Sequence, residues 1–143
     1  MKKKQIHAAV YPHAMRPSQY DGAHFLCYLN GVESEYKADD DSEPVTGIEY
    51  SGELEDGGTL IECDEWTRDK LVNGIIRSKY LQTEEDAIKT HQIQLLQVLS
   101  GIEDITLSDE KMDLYAAEWA EFQRFRQEAI ELVDGWDDWS NND

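Results

Sequence analysis

The chain has 143 residues, of which 31 are acidic and 13 are Lys or Arg, so its formal net charge at pH 7 is −18. Residues 38–65 alone hold 11 acids and no Lys or Arg. Because nucleic acids and anionic membranes are bound mainly through Lys and Arg side chains, this charge argues against direct binding to either.

The first part of the chain, residues 1–64, has the short apolar or alternating runs that are typical of β-strands. Pro12 ends the first run, and the turn residues 55–58 (Glu-Asp-Gly-Gly) separate the last two. Asn30-Gly31 is the strongest short hairpin signal in the sequence. We therefore predict a mostly antiparallel sheet of four or five strands, with a hairpin at Asn30-Gly31. The predicted strands are residues 6–11, 24–29, 32–36, 45–50 and 59–63.

After residue 64 the apolar residues follow the helical period, and capping residues mark the helix ends. The first helix is predicted at residues 65–80. Thr83 is the predicted N-cap of a second helix, and Gly101 its C-terminal stop. Ser108 is the predicted N-cap of a third helix, which Gly135 ends. The period therefore predicts three helices in the second half of the chain.

These patterns predict an α+β fold with the strands first and the helices second. The β-rich part covers residues 1–64, the helical part residues 65–134 and a short acidic tail residues 135–143. The length fits either one compact unit or a small domain with a helical appendage.

Cys27 and Cys63 both lie in predicted strands, and neither belongs to a C-x-x-C motif. We predict that both are buried and reduced, which is typical of free cysteines. The basic N-terminus is not followed by the apolar core of a signal peptide, because His7 and Pro12 interrupt it. No apolar run reaches membrane-spanning length. We therefore expect the protein in a cytoplasm or in a particle assembled there.

Motifs that carry chemistry are weak in this sequence. The acidic segment at residues 39–43 lacks the Gly and closing Glu of an EF-hand, so we interpret it as a solvated turn. His91 lies beside the apolar stripe of Ile88, Leu95 and Leu99, and is predicted to be partly buried and hydrogen-bonded. There is no G-x-S-x-G nucleophile motif and no P-loop. We predict no catalytic, metal or cofactor-binding residue, no cofactor, and no enzymatic activity.

The last predicted helix has apolar residues outside its core face. Leu114, Phe125 and Leu132 project on a side that also carries several glutamates, whereas Arg126 falls within the core face. One interpretation is a second contact surface, in which Arg126 pairs with an acid. The other is that the helix is flanked on both sides within one protomer, and Arg126 extends its charged end to water.

Two tryptophans follow this helix, Trp136 and Trp139. They are either a short anchor for another protein, since aromatic residues dominate interface hot spots, or they pack back onto the protomer. We predict a homo-oligomer, most simply a two-fold dimer, that gains in strength as salt screens the repulsion between acidic chains. The predicted interface residues are Leu114, Phe125, Arg126, Leu132, Trp136 and Trp139.

The order of motifs in the helical part resembles a known kind of protein. Residues 75–80 (Ile-Ile-Arg-Ser-Lys-Tyr) precede the acidic helix start at residues 84–88, and residues 119–126 (Trp-Ala-Glu-Phe-Gln-Arg-Phe-Arg) follow in the last helix. This order resembles the C-terminal part of small uncharacterised proteins encoded in phage and prophage tail modules. The resemblance implies a tail-associated structural or assembly accessory that acts through protein contacts, in the host cytoplasm or the virion. The alternative is an acidic inhibitor that imitates nucleic-acid charge and blocks a host defence or DNA-handling protein.

Overall fold

The computed structural model describes residues 5–101 and 106–136. Strands occupy the N-terminal half and helices the C-terminal half, which confirms the predicted α+β class. The chain divides into two compact units, Met1–Gly74 (the strand unit) and Ile75–Asp143 (the helical unit), with the boundary inside the first helix. The elements are β1 (His7–Tyr11), β2 (Ser18–Gln19), β3 (His24–Cys27), β4 (Val32–Tyr36), β5 (Val45–Gly52), β6 (Thr59–Glu62), α1 (Arg68–Lys79), α2 (Gln82–Leu99) and α3 (Asp109–Asp134).

The strands form two small antiparallel sheets instead of one. The first has the order β1-β5-β4 and the second the order β2-β3-β6. In the first sheet the partner of Ala9 is Tyr50, and that of Glu33 is Ile48. Strand β4 lies at a free edge of this sheet, where Val32 is 57% exposed and Glu33 and Glu35 also face solvent.

The predicted hairpin at Asn30-Gly31 is wrong. Strand β3 pairs with β2 and β6, whereas β4 pairs with β5, so this dipeptide carries the chain from one sheet to the other. Asn30 has the positive φ of 58° that the dipeptide favours, and its side-chain amide donates to the backbone oxygen of Ser51 at 3.2 Å. The local turn signal is therefore present, but the strands on either side of it pair elsewhere.

The core of the strand unit combines aromatic, aliphatic and thiol side chains. Cys27 and Cys63 are both free and buried, as predicted. Burial and, to a smaller extent, the neighbouring Cys63 raise the pKa of the Cys27 thiol to about 12, so it stays protonated at neutral pH. The buried residues are Phe25, Cys27, Tyr28, Leu29, Tyr50, Ile61, Cys63 and Leu71.

The turn between β5 and β6 is held by Asp56. The hydroxyl of Tyr28 donates to the Asp56 carboxylate at 2.9 Å, and the hydroxyl of Tyr11 donates to the Asp56 backbone oxygen at 2.6 Å. Burial and the bond to Asp56 raise the pKa of Tyr28. Gly57 has a φ of 82°, and a Cβ there would lie 2.8 Å from the backbone oxygen of Tyr50. The turn therefore needs glycine at this position.

Helix α1 approaches strand β6 through a glycine. A Cβ on Gly74 would lie 2.8 Å from the backbone oxygen of Glu62 and 3.1 Å from the Ile61 side chain. Leu71, one turn earlier, is completely buried. The close approach therefore lets the start of α1 close one side of the strand core.

The helical unit is built on the packing of α2 against α3. Ser108 caps α3 as predicted, because its hydroxyl accepts the backbone N–H of Lys111, and α3 ends before Gly135. Thr83 is not the N-cap of α2, which begins at Gln82. Leu81 occupies the cap position, and the Glu84 carboxylate accepts its backbone N–H at 3.2 Å. The buried residues of this unit are Ile75, Ile76, Glu85, Ile88, Leu95, Phe122, Ala129, Val133 and Trp136.

Candidate functional site

The predicted α3 surface is not a continuous exposed patch. Leu114 is 59% exposed and Arg126 is exposed, but Phe125 and Leu132 are half-buried and Trp136 is buried. Trp139, the sixth predicted residue, lies outside the described residues. The structure therefore does not bring the predicted residues together on one open face.

Phe125 owes its partial burial to the end of α1. Its ring centroid lies 5.8 Å from that of Tyr80, and the Lys79 ammonium lies 4.8 Å from the Phe125 ring centroid. A cation at this distance over an aromatic face is attracted by the ring. These contacts favour the interpretation that α3 is flanked on both sides within one protomer.

Arg126 and Trp136 also fit the interpretation that needs no second subunit. Arg126 is exposed although its position belongs to the predicted core face, as expected if its long side chain reaches water. Trp136 is 7% exposed, so it packs onto its own protomer.

The outer side of α3 carries an ion-pair network. Glu121 lies 2.6 Å from Arg124 and 3.1 Å from Lys79, and Glu128 lies 2.6 Å from Arg124. Hydrogen bonds from Arg124 and then Lys79 lower the pKa of Glu121 to about 2, and the two glutamates raise the pKa of Arg124. These side chains are about half exposed, so the network orders the surface and adds little stability.

One buried acid joins α1 to α2. Glu85, 7% exposed, is paired with Arg77 and lies 2.5 Å from Lys89. Burial raises the pKa of Glu85, but the hydrogen bonds from Lys89 and Arg77 outweigh it and hold the pKa below its ordinary value. Because every oxygen of this carboxylate has a cationic partner, we interpret the cluster as structural.

His91 is partly buried and hydrogen-bonded, as predicted. Its Nδ1 lies 2.5 Å from the Glu118 carboxylate, and its ring stacks on Tyr115 with the centroids 4.1 Å apart. The imidazole therefore helps to fix α2 against α3.

The structure exposes a surface that the sequence patterns did not identify. Ile93, Leu96 and Leu99 on α2 are 57%, 51% and 70% exposed, and we call these three residues the α2 face. Leu99 belongs to the predicted apolar stripe, of which only Ile88 and Leu95 are buried. A signal was present in the sequence: residues 90–101 contain no Asp, Glu, Lys or Arg, in a chain with a net charge of −18.

The acidic stretch of the strand unit does not bring its carboxylates together as a set of metal ligands within the described residues. In the part of the chain that the structure describes, no three His, Cys, Asp or Glu side chains are grouped so that they could hold a metal ion. The Asp39 carboxylate instead accepts the backbone N–H of Asp41 and the hydroxyl of Ser42, both at 2.9 Å. Of the 11 acids in residues 38–65, only Glu49 and Glu62 lie in strands. Most acids of residues 38–65 therefore lie in turns and loops, and they are not regularly spaced along a strand or helix.

Comparisons with known proteins add no relative. No protein-family model, no curated protein and no solved structure matches the chain. Among residues 5–101 and 106–136, no helix has both the length and the apolar composition needed to cross a bilayer.

Proposed function

We propose that this protein is a phage- or prophage-encoded, tail-associated accessory that acts through protein–protein contacts and associates with itself as a dimer. The order of motifs in residues 75–126 supports the tail association, through the resemblance described above. The exposed apolar surface of the helical unit supports the contact function.

The observation that carries the proposal is the group of exposed apolar side chains in the helical unit, three of which follow one another along α2. Nine large hydrophobic residues of the described chain are more than half exposed, and five of them lie in the helical unit. Contiguous exposed apolar surface usually marks a contact with another protein. The five are Leu81, Ile93, Leu96, Leu99 and Leu114.

Purified particles from a strain that carries the gene test the tail association. We expect the protein to co-sediment with particles or with tail intermediates, and deletion of the gene to reduce the yield of complete tails. A gradient followed by immunoblotting measures the first, and negative-stain microscopy the second. Unchanged tails after deletion, with the protein absent from every assembly fraction, would contradict the proposal.

The acidic inhibitor is the second candidate, because residues 38–65 combine 11 acids with no base. An inhibitor of this kind competes with duplex DNA for a basic protein and does not bind DNA itself. A mobility-shift assay with a basic DNA-binding protein from the same cell separates the two candidates. Displacement of DNA at a stoichiometric ratio favours the inhibitor, and no displacement favours the tail accessory.

A further inference from the structure

The three residues of the α2 face are evenly spaced, so the face can pack against the same face of a second copy. Ile93, Leu96 and Leu99 follow one another at intervals of three residues, so they span an arc of about 120° on the helix. With a rise of about 1.5 Å per residue, Ile93 and Leu99 lie roughly 4.5 Å on either side of Leu96 along the axis. A second helix that runs antiparallel would therefore place an Ile93 against a Leu99 at both ends of the contact.

The charge distribution favours a second copy of the chain as the occupant. Two chains of −18 repel each other wherever acidic surfaces meet, as at residues 38–65, which hold 11 acids and no Lys or Arg. Residues 90–101 bring no formal charge to a contact apart from His91, which is engaged with Glu118. Self-association is thus least opposed at the α2 face. A basic partner would instead prefer the acidic surfaces, because a neutral face offers it no attraction.

We propose that the α2 face is the surface through which the protein forms its dimer. Two α2 helices cross antiparallel about a two-fold axis at Leu96, and Ile93 of each copy packs against Leu99 of the other. This inference rests on the self-association in the proposed function and adds the surface that performs it. It replaces the α3 surface, because Phe125 is half-buried and Trp136 is buried within the protomer.

Cysteine cross-linking tests the position of the axis. A residue on a two-fold axis meets its own copy, so Leu96→Cys gives a covalent dimer with a short bis-maleimide reagent. Leu114→Cys is the matched control, since Leu114 is 59% exposed but lies on α3. The unmodified chain is the blank, because Cys27 and Cys63 are buried. We expect cross-linking of Leu96→Cys alone.

Sedimentation equilibrium tests the energetics. Leu96→Asp places two carboxylates together at the axis, and we expect the dimer dissociation constant to rise at least tenfold. Leu114→Asp leaves it unchanged. Circular dichroism verifies that both variants keep their helices, as expected for substitutions of exposed residues.

The possible outcomes distinguish an error in the proposed dimer surface from an error in the proposed function. A dimer that survives Leu96→Asp and cross-links through Leu114→Cys overturns the α2 face but leaves self-association intact. If Leu96→Cys resists labelling in dilute, monomeric protein, another part of the same chain covers the face and the inference fails. A wild-type chain that stays monomeric at tens of micromolar and at high salt overturns the dimer itself, while the particle experiment decides the tail association independently.

Discussion

The two units of the molecule use their acidic residues differently. In the helical unit, acids are bound to bases along and between helices, as in the pairs of Glu85 with Arg77 and of Glu121 with Arg124. In the strand unit, residues 38–65 contain no Lys or Arg, and its core is built from tyrosines, aliphatic side chains and thiols. Ion pairs therefore join one helix to another in the helical unit, whereas in the strand unit Asp56 orders a turn and Lys70 pairs with Asp64 and Glu65 on the surface.

The largest expected effect on stability comes from a substitution at Phe122, in the core of the helical unit. Its ring is 1% exposed and meets the Tyr80 ring edge-on, with the centroids 5.1 Å apart. Phe122→Ala should lower the free energy of unfolding by about 3–5 kcal/mol, because it removes apolar contacts and leaves a cavity. Urea unfolding followed by circular dichroism measures the loss. Leu114→Ala, at an exposed site on the same helix, should change it by less than about 0.5 kcal/mol. Equal losses for both variants would show that Phe122 is not a core residue.

A smaller effect is expected at Glu85. Glu85→Gln should lower the free energy of unfolding by about 2 kcal/mol at pH 7, because the neutral amide loses its attraction to both cations and its NH2 group cannot accept a hydrogen bond from either. The folded-state pKa of Glu85 is depressed, so its contribution is present above the unfolded-state pKa and is lost as pH falls through the folded-state value.

A pH series in urea checks both parts of this prediction. The difference between Glu85→Gln and the wild type should narrow progressively in acid. Asp113→Asn, at an exposed acid of α3, is the control and should show little difference at any pH. A deficit for Glu85→Gln that stays constant into strong acid would contradict an electrostatic role.

The exposed network around Glu121 should matter less than Glu85. Glu121→Gln is expected to lower the melting temperature slightly in dilute buffer, and the deficit should shrink as salt screens the pairs with Arg124 and Lys79. The pKa of Glu121 is about 2, so the contribution persists through mild acid and is lost only as pH falls towards that value. Melting curves at low and high salt measure it. A deficit that does not respond to salt would assign Glu121 a packing role instead.

The smallest expected effect is on thiol labelling of the strand unit when a substitution destabilises the helical unit. Cys27 and Cys63 are buried, and the pKa of Cys27 is raised to about 12, so a thiol reagent should react slowly with the folded strand unit. In urea that unfolds the helical unit of Phe122→Ala, labelling should stay slow. Rapid labelling there would show that the two units unfold together. Failure to label in full denaturant without reductant would reveal a disulfide.

Both ends of α3 were predicted correctly from the sequence, whereas the N-cap predicted for α2 at Thr83 was wrong. The Ser108 cap and the stop at Gly135 were predicted because a helix end depends on side chains within about one turn. Strand pairing was not, since Asn30 takes the left-handed φ of 58° although the strands on either side of it pair with other strands. Strand β2 was missed because its two residues, Ser18–Gln19, are too few to show a period.

The candidate site shows the same limit for side-chain exposure. Helical periodicity placed Phe125 on the outer side of α3, but Tyr80 and Lys79, more than 40 positions earlier, partly cover it. It also placed Leu99 in a buried stripe, although Leu99 is 70% exposed among the residues that the structure describes. Periodicity describes the faces of one helix and does not say which of them a neighbour covers.

The free edge of β4 has a consequence for handling the protein in solution. An edge strand offers unpaired backbone groups to any other strand, and charged side chains along it discourage such pairing. Glu33 and Glu35 lie on this edge beside the exposed Val32. The isoelectric point of the chain is about 4.4. Towards that pH the repulsion between molecules disappears and this edge becomes free to join others, so acid precipitation should proceed by sheet-to-sheet aggregation.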